Sequence, residues 1–166
     1  MDHEEELSHV SPDGKARMVD VSAKGSSSRS AAAEAWVDVG AKIAGQLRAS
    51  GAVAKGNVLE TARLAGIMAA KRTPDLIPMC HPLPLESVQV EAELVGDRVR
   101  IVAAARCEAK TGVEMEAMTA AAVAALTVYD MVKSAGRDVT VGPVRLLEKR
   151  GGKSGHWKRE QGSGDG

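Results

Sequence analysis

Asp130 and Lys133 stand three residues apart near the end of a stretch, residues 110–136, that carries no charged residue from Ala117 to Tyr129. A helix turning about 100° per residue puts both on one face. There a carboxylate beside an ammonium can exchange a proton, each group shifting the other's pKa. Glu116 falls only about 40° from Asp130 around the same axis. One edge of an apolar rod is therefore expected to carry Glu116, Asp130 and Lys133, and to border a cleft or a partner subunit. An ordinary exposed i,i+3 ion pair accounts for Asp130 and Lys133 equally well.

A second cluster sits in residues 73–85, TPDLIPMCHPLPL, which hold four of the chain's six prolines. Proline removes a backbone donor and biases the preceding residue to extended geometry, so a stiff loop without regular helix is expected here. The loop fixes Met79, Cys80 and His81. His81 could serve as acid, base or hydrogen-bond donor, although a hydrogen bond within the loop explains it as simply. Consecutive extended side chains point opposite ways, so Cys80 and His81 are poorly placed to share a metal or to act as a nucleophile and its base. No metal site is read.

Cations form a third group: Arg29, Lys55, Lys71 with Arg72, and Lys133. Lys55 precedes Asn57 and Glu60, whose spacing opens a helix. A lysine at a helix N-terminus suits a phosphorylated ligand, while a solvated lysine is the plainer alternative. Gly152-Lys153-Ser154 resembles the end of a phosphate-binding P-loop. The first glycine of that motif is missing and no helix is expected to follow, so a P-loop is rejected.

The elements that must position these groups follow from periodicity and breakers. Met18 to Val21 reads as a strand, residues 30–50 as a helix stopped by Gly51, and residues 58–72 as a second helix. Val88, Val90, Ala92 and Leu94 alternate with polar residues, as do Val99, Ile101, Ala103 and Ala105 after Gly96-Asp97, which predicts an antiparallel hairpin. Thr111 and Glu114 have capping-box spacing for the long helix and Gly136 suits its stop. A strand over 139–148 follows, with Pro143 pointing to an edge or a bulge. The order β-α-α-β-β-α-β implies an α+β sandwich of ferredoxin-like type, an antiparallel sheet with helices packed on one face. Residues 1–16 are expected to be a flexible segment, 17–150 one catalytic domain, and 151–166 a Gly-rich mobile tail.

Composition narrows the function. Of 166 residues, 44% are hydrophobic and 27% charged, with no net charge, so no field advertises nucleic acid or membrane. Without Phe, and with Tyr129, Trp36 and Trp157 as the aromatics, platforms for stacking bases are missing. A core of Ala, Val, Leu and Met favours close backbone approach and burial against another subunit, so a homo-oligomer is expected. Two cysteines exclude a disulfide framework, and the acidic start has no apolar signal region. Cytoplasm is the expected compartment.

The runs KARMVDVSAK (15–24), KGNVLETARLAGIMAAKRTPDLIPMCHPLPL (55–85), KTGVEMEAMTAAAVAALTVYDMVK (110–133) and GPVRLLEKRGGKSG (142–155) resemble the MoaC family, the cyclic pyranopterin monophosphate synthases of molybdenum cofactor (molybdopterin) biosynthesis. The resemblance implies a ferredoxin-like subunit, a hexamer of three dimers and a site at the dimer interface. It implies a lyase acting on a cyclised dihydroguanosine triphosphate with release of diphosphate, with no cofactor beyond Mg²⁺ that could accompany the triphosphate. By the same resemblance Asp130, Lys133 and Lys55 are catalytic, while Met79, Cys80, His81, Met115 and Glu116 contact substrate. Arg29, Lys71, Lys110, Glu114 and Lys153 are further contacts. A non-catalytic nucleotide-binding regulator on the same fold is the alternative, and turnover would separate the two.

Overall fold

The computed structural model describes residues 8–50, 52–53 and 56–160. Its elements are β1 (Ser27–Asp38), α1 (Gly40–Ser50), β2 (Ala52–Val53), β3 (Gly56–Asn57), α2 (Val58–Ala70), α3 (Thr73–Leu76), β4 (Leu85–Val95), β5 (Arg98–Ala109), α4 (Glu114–Val132), β6 (Thr140–Arg150) and β7 (His156–Lys158). Five strands form one sheet in the order β4-β5-β1-β6-β7 with antiparallel neighbours, and β2 with β3 forms a separate two-stranded piece. The order β4-β5-β1-β6, with α2 and α4 on the same side, is the ferredoxin-like α+β arrangement.

The first strand and first helix differ from the sequence expectation. Among the described residues Met18 to Val21 pairs with no strand, and the segment 30–38 expected to be helical lies in the central strand β1. Alanine-rich composition favours helix, but Ala31, Ala33, Ala35 and Val37 alternate into the core while the backbone between them pairs with β5 on one side and β6 on the other. Two ladders of hydrogen bonds and a buried face outweigh a propensity of a few tenths of a kcal/mol per residue. The break to helix comes only at Gly40, whose φ of 72° and N–H to the Asp38 carboxylate (3.1 Å) turn the chain.

The hairpin forms as expected, with Val95 opposite Arg98 and Gly96 at φ 58° in its turn. Asn57 caps α2, its Oδ1 accepting from the Glu60 N–H at 3.0 Å. The proline-rich loop does contain one helical turn, α3, which the sequence reading excluded. Pro74 sits in that first turn, where its missing N–H costs nothing.

The ends of α4 also differ. Val113 is its N-cap and makes no side-chain cap, so Thr111 and Glu114 do not form a capping box. The Glu114 carboxylate instead takes an ion pair from Lys149 of β6 at 3.2 Å. The helix ends at Val132 with Lys133 as C-cap, short of Gly136. Gly136 packs against Ile43 of α1, where a Cβ would sit 3.2 Å from Cδ1.

The core lies between the sheet and α4, which also packs along α2. Small residues set that spacing: a Cβ at Gly66 would lie 2.9 Å from the Ala120 carbonyl oxygen. By length and composition α4 could cross a bilayer, but Ala117, Ala120, Ala121, Ala124, Ala125 and Val128 are fully buried against the sheet and α2. Pro143 marks a bulge, the register with β1 shifting between Ala35 and Val37. Beyond Arg150 a glycine-rich turn leads into β7, a strand the sequence reading does not place.

Candidate active site

Two cavities meet at the N-terminal end of α4. One, about 390 Å³, is walled by Met79, Cys80, His81 and Leu83 of the loop before β4, by Met115 and Glu116 of α4, and by Ser8, His9 and Val19 from the N-terminal segment. The other, about 740 Å³, is walled by Arg29 of β1, Lys110, Lys149 of β6, and Lys153 with its flanking Gly151, Gly152 and Ser154. Lys24, Thr111, Gly112 and Glu114 border both, so they are two lobes of one cleft.

The larger lobe is built for an anion. Lys24, Arg29, Lys110, Lys149, Lys153 and Arg150, the last paired with Glu148, line it, against Glu114 as the acid shared with the smaller lobe. The start of α4 at Val113 and Glu114 adds the positive end of the helix dipole. Arg29 is held by the Ala109 and Lys110 carbonyls at 3.4 and 3.5 Å, and Lys110 Nζ donates to the Ser22 carbonyl at 3.0 Å. Ser27 Oγ, on the wall of this lobe, is buried and has no hydrogen-bond partner among the described residues.

The smaller lobe has different chemistry. Glu116 is 3% exposed. Burial raises its carboxyl above the usual range, and the neighbouring Glu114 adds to the rise. Burial and then the Glu116 charge likewise raise the Cys80 thiol. Neutral groups are favoured here, and a raised thiol is a poor nucleophile. In its protonated form a carboxyl donates a hydrogen bond, as does a thiol, and Met79 and Met115 beside them add apolar wall, so the lobe has contacts to offer a planar polar ring.

Nine of the sequence-derived residues converge on this cleft: Arg29, Met79, Cys80, His81, Lys110, Glu114, Met115, Glu116 and Lys153. Lys71 does not. It is exposed and borders a separate hollow with Ile67, Glu86 and Ser87, on the far side of Leu83. Asp130 and Lys133 pair at 2.5 Å, with side chains 59% and 53% exposed. Hydrogen bonding to Asp130, then its charge, raises the Lys133 ammonium. Fourteen residues of helix, about 21 Å at 1.5 Å per residue, separate them from Glu116. The shared edge expected from angle alone is thus split: Glu116 is buried in the cleft and the pair lies on the surface at the other end of α4. Lys55 lies outside the described residues.

Lys24 and Lys149 were not singled out from the sequence. Lys24 follows a segment read as a strand and Lys149 is one of many charges in β6, so neither carries a local signal. The glycine-lysine-serine run, set aside as a P-loop, does wall an anion lobe, with glycine turns in place of a helix.

The MoaC family model matches residues 18–152, from the segment bearing Lys24 through β6 to Gly152. The chain belongs to the MoaC family. That family acts in molybdenum cofactor biosynthesis as cyclic pyranopterin monophosphate synthases, and its small-molecule substrate derives from a nucleotide. A nucleotide-derived ligand has an anionic end and a heterocyclic end, and the cleft of this family member has a lobe of each character. Among the described residues no group of three or more His, Cys, Asp or Glu side chains is placed to hold a metal.

Proposed function

We propose that this chain is a cytoplasmic cyclic pyranopterin monophosphate synthase. In this reading it is a lyase converting (8S)-3′,8-cyclo-7,8-dihydroguanosine 5′-triphosphate to cyclic pyranopterin monophosphate with release of diphosphate. The observation that carries the reading is the cation-walled lobe opening into a smaller lobe walled by Met79, Cys80, His81, Met115 and Glu116 at the start of α4. The triphosphate lies among Lys24, Arg29, Lys110, Lys149 and Lys153, and the ring lies against Met79, Cys80, His81, Met115 and Glu116. A hydroxyl of the sugar-derived part attacks the α-phosphorus as its proton passes to solvent, the bond to the bridging oxygen breaks, and diphosphate leaves with that electron pair. Cations already aligned on the departing group stabilise its charge without reorganisation. The reading needs no cofactor of the protein's own, and Mg²⁺, where present, arrives with the triphosphate.

Proton transfers during ring opening and pterin closure fall to Asp130, Lys133 and Lys55. Because the Asp130–Lys133 pair lies far from the cleft along α4, it completes the cleft of a neighbouring subunit in a homo-oligomer, a hexamer of three dimers. Exposed Leu126 and Tyr129 beside the pair, and Leu64 and Met68 one turn apart on α2, are the apolar surface such contacts need.

The test is incubation of purified protein with the cyclised triphosphate, following diphosphate release and the fluorescence of the oxidised pterin, beside Lys55→Ala. Both products from the wild type and neither from the variant are expected. Tight binding without product would make the chain a nucleotide-binding regulator instead.

A further inference from the structure

The N-terminal segment, which composition marks as a flexible lead-in, is folded from Ser8 onward into a tied turn against the cleft. Val10 and Ala16 form a β-bridge, Arg17 N donates to the His9 carbonyl at 3.0 Å, Ser11 N to the Lys15 carbonyl at 2.9 Å, and Gly14 N to the Ser11 carbonyl at 2.8 Å. Gly14 adopts a φ of 79°, which a side chain would strain. Ser11 Oγ also bonds the Lys15 carbonyl at 2.9 Å, and Lys15 pairs with Asp13 at 2.9 Å. What this turn holds in place is His9, which with Ser8 walls the smaller lobe that the Cys80 loop also lines.

The ring's tautomer follows from its partner. His9 Nδ1 lies 3.3 Å from the Arg17 carbonyl oxygen. A carbonyl only accepts, so Nδ1 carries the hydrogen and Nε2 of the neutral ring is left as an acceptor. Two other polar groups of this lobe, the Glu116 carboxyl and the Cys80 thiol, are both shifted toward their protonated forms, which donate, and Lys24 on the same wall donates as well. A nitrogen heterocycle of the purine or pterin type presents N–H donors as well as acceptors, and Nε2 of His9 is an acceptor on the wall of this lobe for one of those donors.

We propose that His9 is a ligand-contacting residue of this cleft, accepting a hydrogen bond at Nε2 from a ring N–H or exocyclic amine. The N-terminal turn then serves as the wall that sets specificity for the heterocycle. His9 lies outside residues 18–152, the span matched by the family model. The inference rests on the two-lobed reading of the cleft given above, and it concerns the ring lobe alone.

The experiment is calorimetric titration of the full chain, wild type, His9→Ala and His9→Gln, with two probes: guanosine 5′-triphosphate and inorganic tripolyphosphate. Losing one hydrogen bond between neutral groups predicts a weakening of about fivefold to tenfold. His9→Ala should lose that much affinity for the nucleotide and keep tripolyphosphate binding within about twofold of wild type. His9→Gln, which retains an acceptor, should recover part of the loss. A purely structural role for the turn would lower both affinities together, and that result, or no change in either, overturns the proposal. Wild type that binds tripolyphosphate but not the nucleotide also overturns it while sparing the anion lobe. Wild type that binds neither overturns the two-lobed reading and this inference with it.

Discussion

The Arg29 guanidinium fills the space that a side chain at residue 152 would need, so that a Cβ on Gly152 would overlap Nη1. Gly152 also has a φ of 71°, a conformation that costs an ordinary residue about 1 kcal/mol. The overlapping atom is the end of a flexible side chain, so the clash is relieved by moving Arg29 more than by unfolding. Gly152→Ala should therefore lower the melting temperature modestly while weakening triphosphate binding about tenfold, the worth of a lost charge-assisted contact. A calorimetric titration with tripolyphosphate checks it, and unaltered affinity would mean Arg29 does not contact the anion.

Glu116 ties stability to pH in the direction opposite to most surface acids. Burial raises its folded-state pKa above the unfolded value, so the folded chain holds the proton more tightly. Stability is fully present below the ordinary carboxylate range and declines as pH rises from there through the raised folded pKa. Glu116→Gln should remove that decline and be more stable than wild type near neutrality, yet bind substrate about tenfold more weakly through a changed donor pattern. Denaturant midpoints across pH 4 to 8 give the first half of the test. A variant with the wild-type pH slope would show that Glu116 is solvated.

Glu34 works the other way. It is buried on the side of the sheet away from α4, between Arg100 at 3.0 Å and Arg145 at 2.8 Å, with Trp36 beside Arg98 and Arg100. Burial alone would raise its carboxyl, but hydrogen bonds from Arg145 and Arg100 outweigh that and hold it below the usual range. Its contribution is present above the unfolded carboxylate pKa and disappears as pH falls through the depressed folded value. Glu34→Gln is expected to cost about 2–4 kcal/mol at pH 7, since two arginines lose a buried counter-charge. That gap should close in acid, which urea melts at neutral and low pH would reveal.

The distance between Glu116 and the Asp130–Lys133 pair makes an assembly prediction. Lys55→Ala and Lys133→Ala are each expected to be inactive, and mixed oligomers of the two should regain a fraction of wild-type turnover if the lysines come from different subunits. Asp130→Asn should lose at least 100-fold in turnover as an acid–base residue, with little change in melting temperature because the pair is exposed. Confirmed subunit exchange without rescue would place both lysines in one subunit's site.

Local patterns carried much of the fold. The alternation on either side of Gly96-Asp97, the Asn57 cap of α2 and the uncharged run inside α4 are periodic features of contiguous residues, and each element stands where those features put it. The residues 31–37 misled, because alanine has no shape of its own in a strand and its helix propensity is the louder local signal. Pairing with β5 and β6, residues more than 60 positions away in sequence, decides that segment. Thr111, Glu114 and Gly136 had capping spacing, but Glu114 pairs with Lys149 and Gly136 packs on Ile43 instead.

The same division holds for the site. Residue types and runs along the chain determined which groups could do chemistry and which family the chain resembles. Only the tertiary structure decided that Lys24 and Lys149 join Arg29, Lys110 and Lys153 around one lobe, that His9 reaches the other, and that Asp130 and Lys133 stand apart from both. Helical angle is a property of neighbouring residues and can be counted along the sequence. Convergence of side chains in space depends on how far helices run and where strands pair, and those are settled only when the whole core packs.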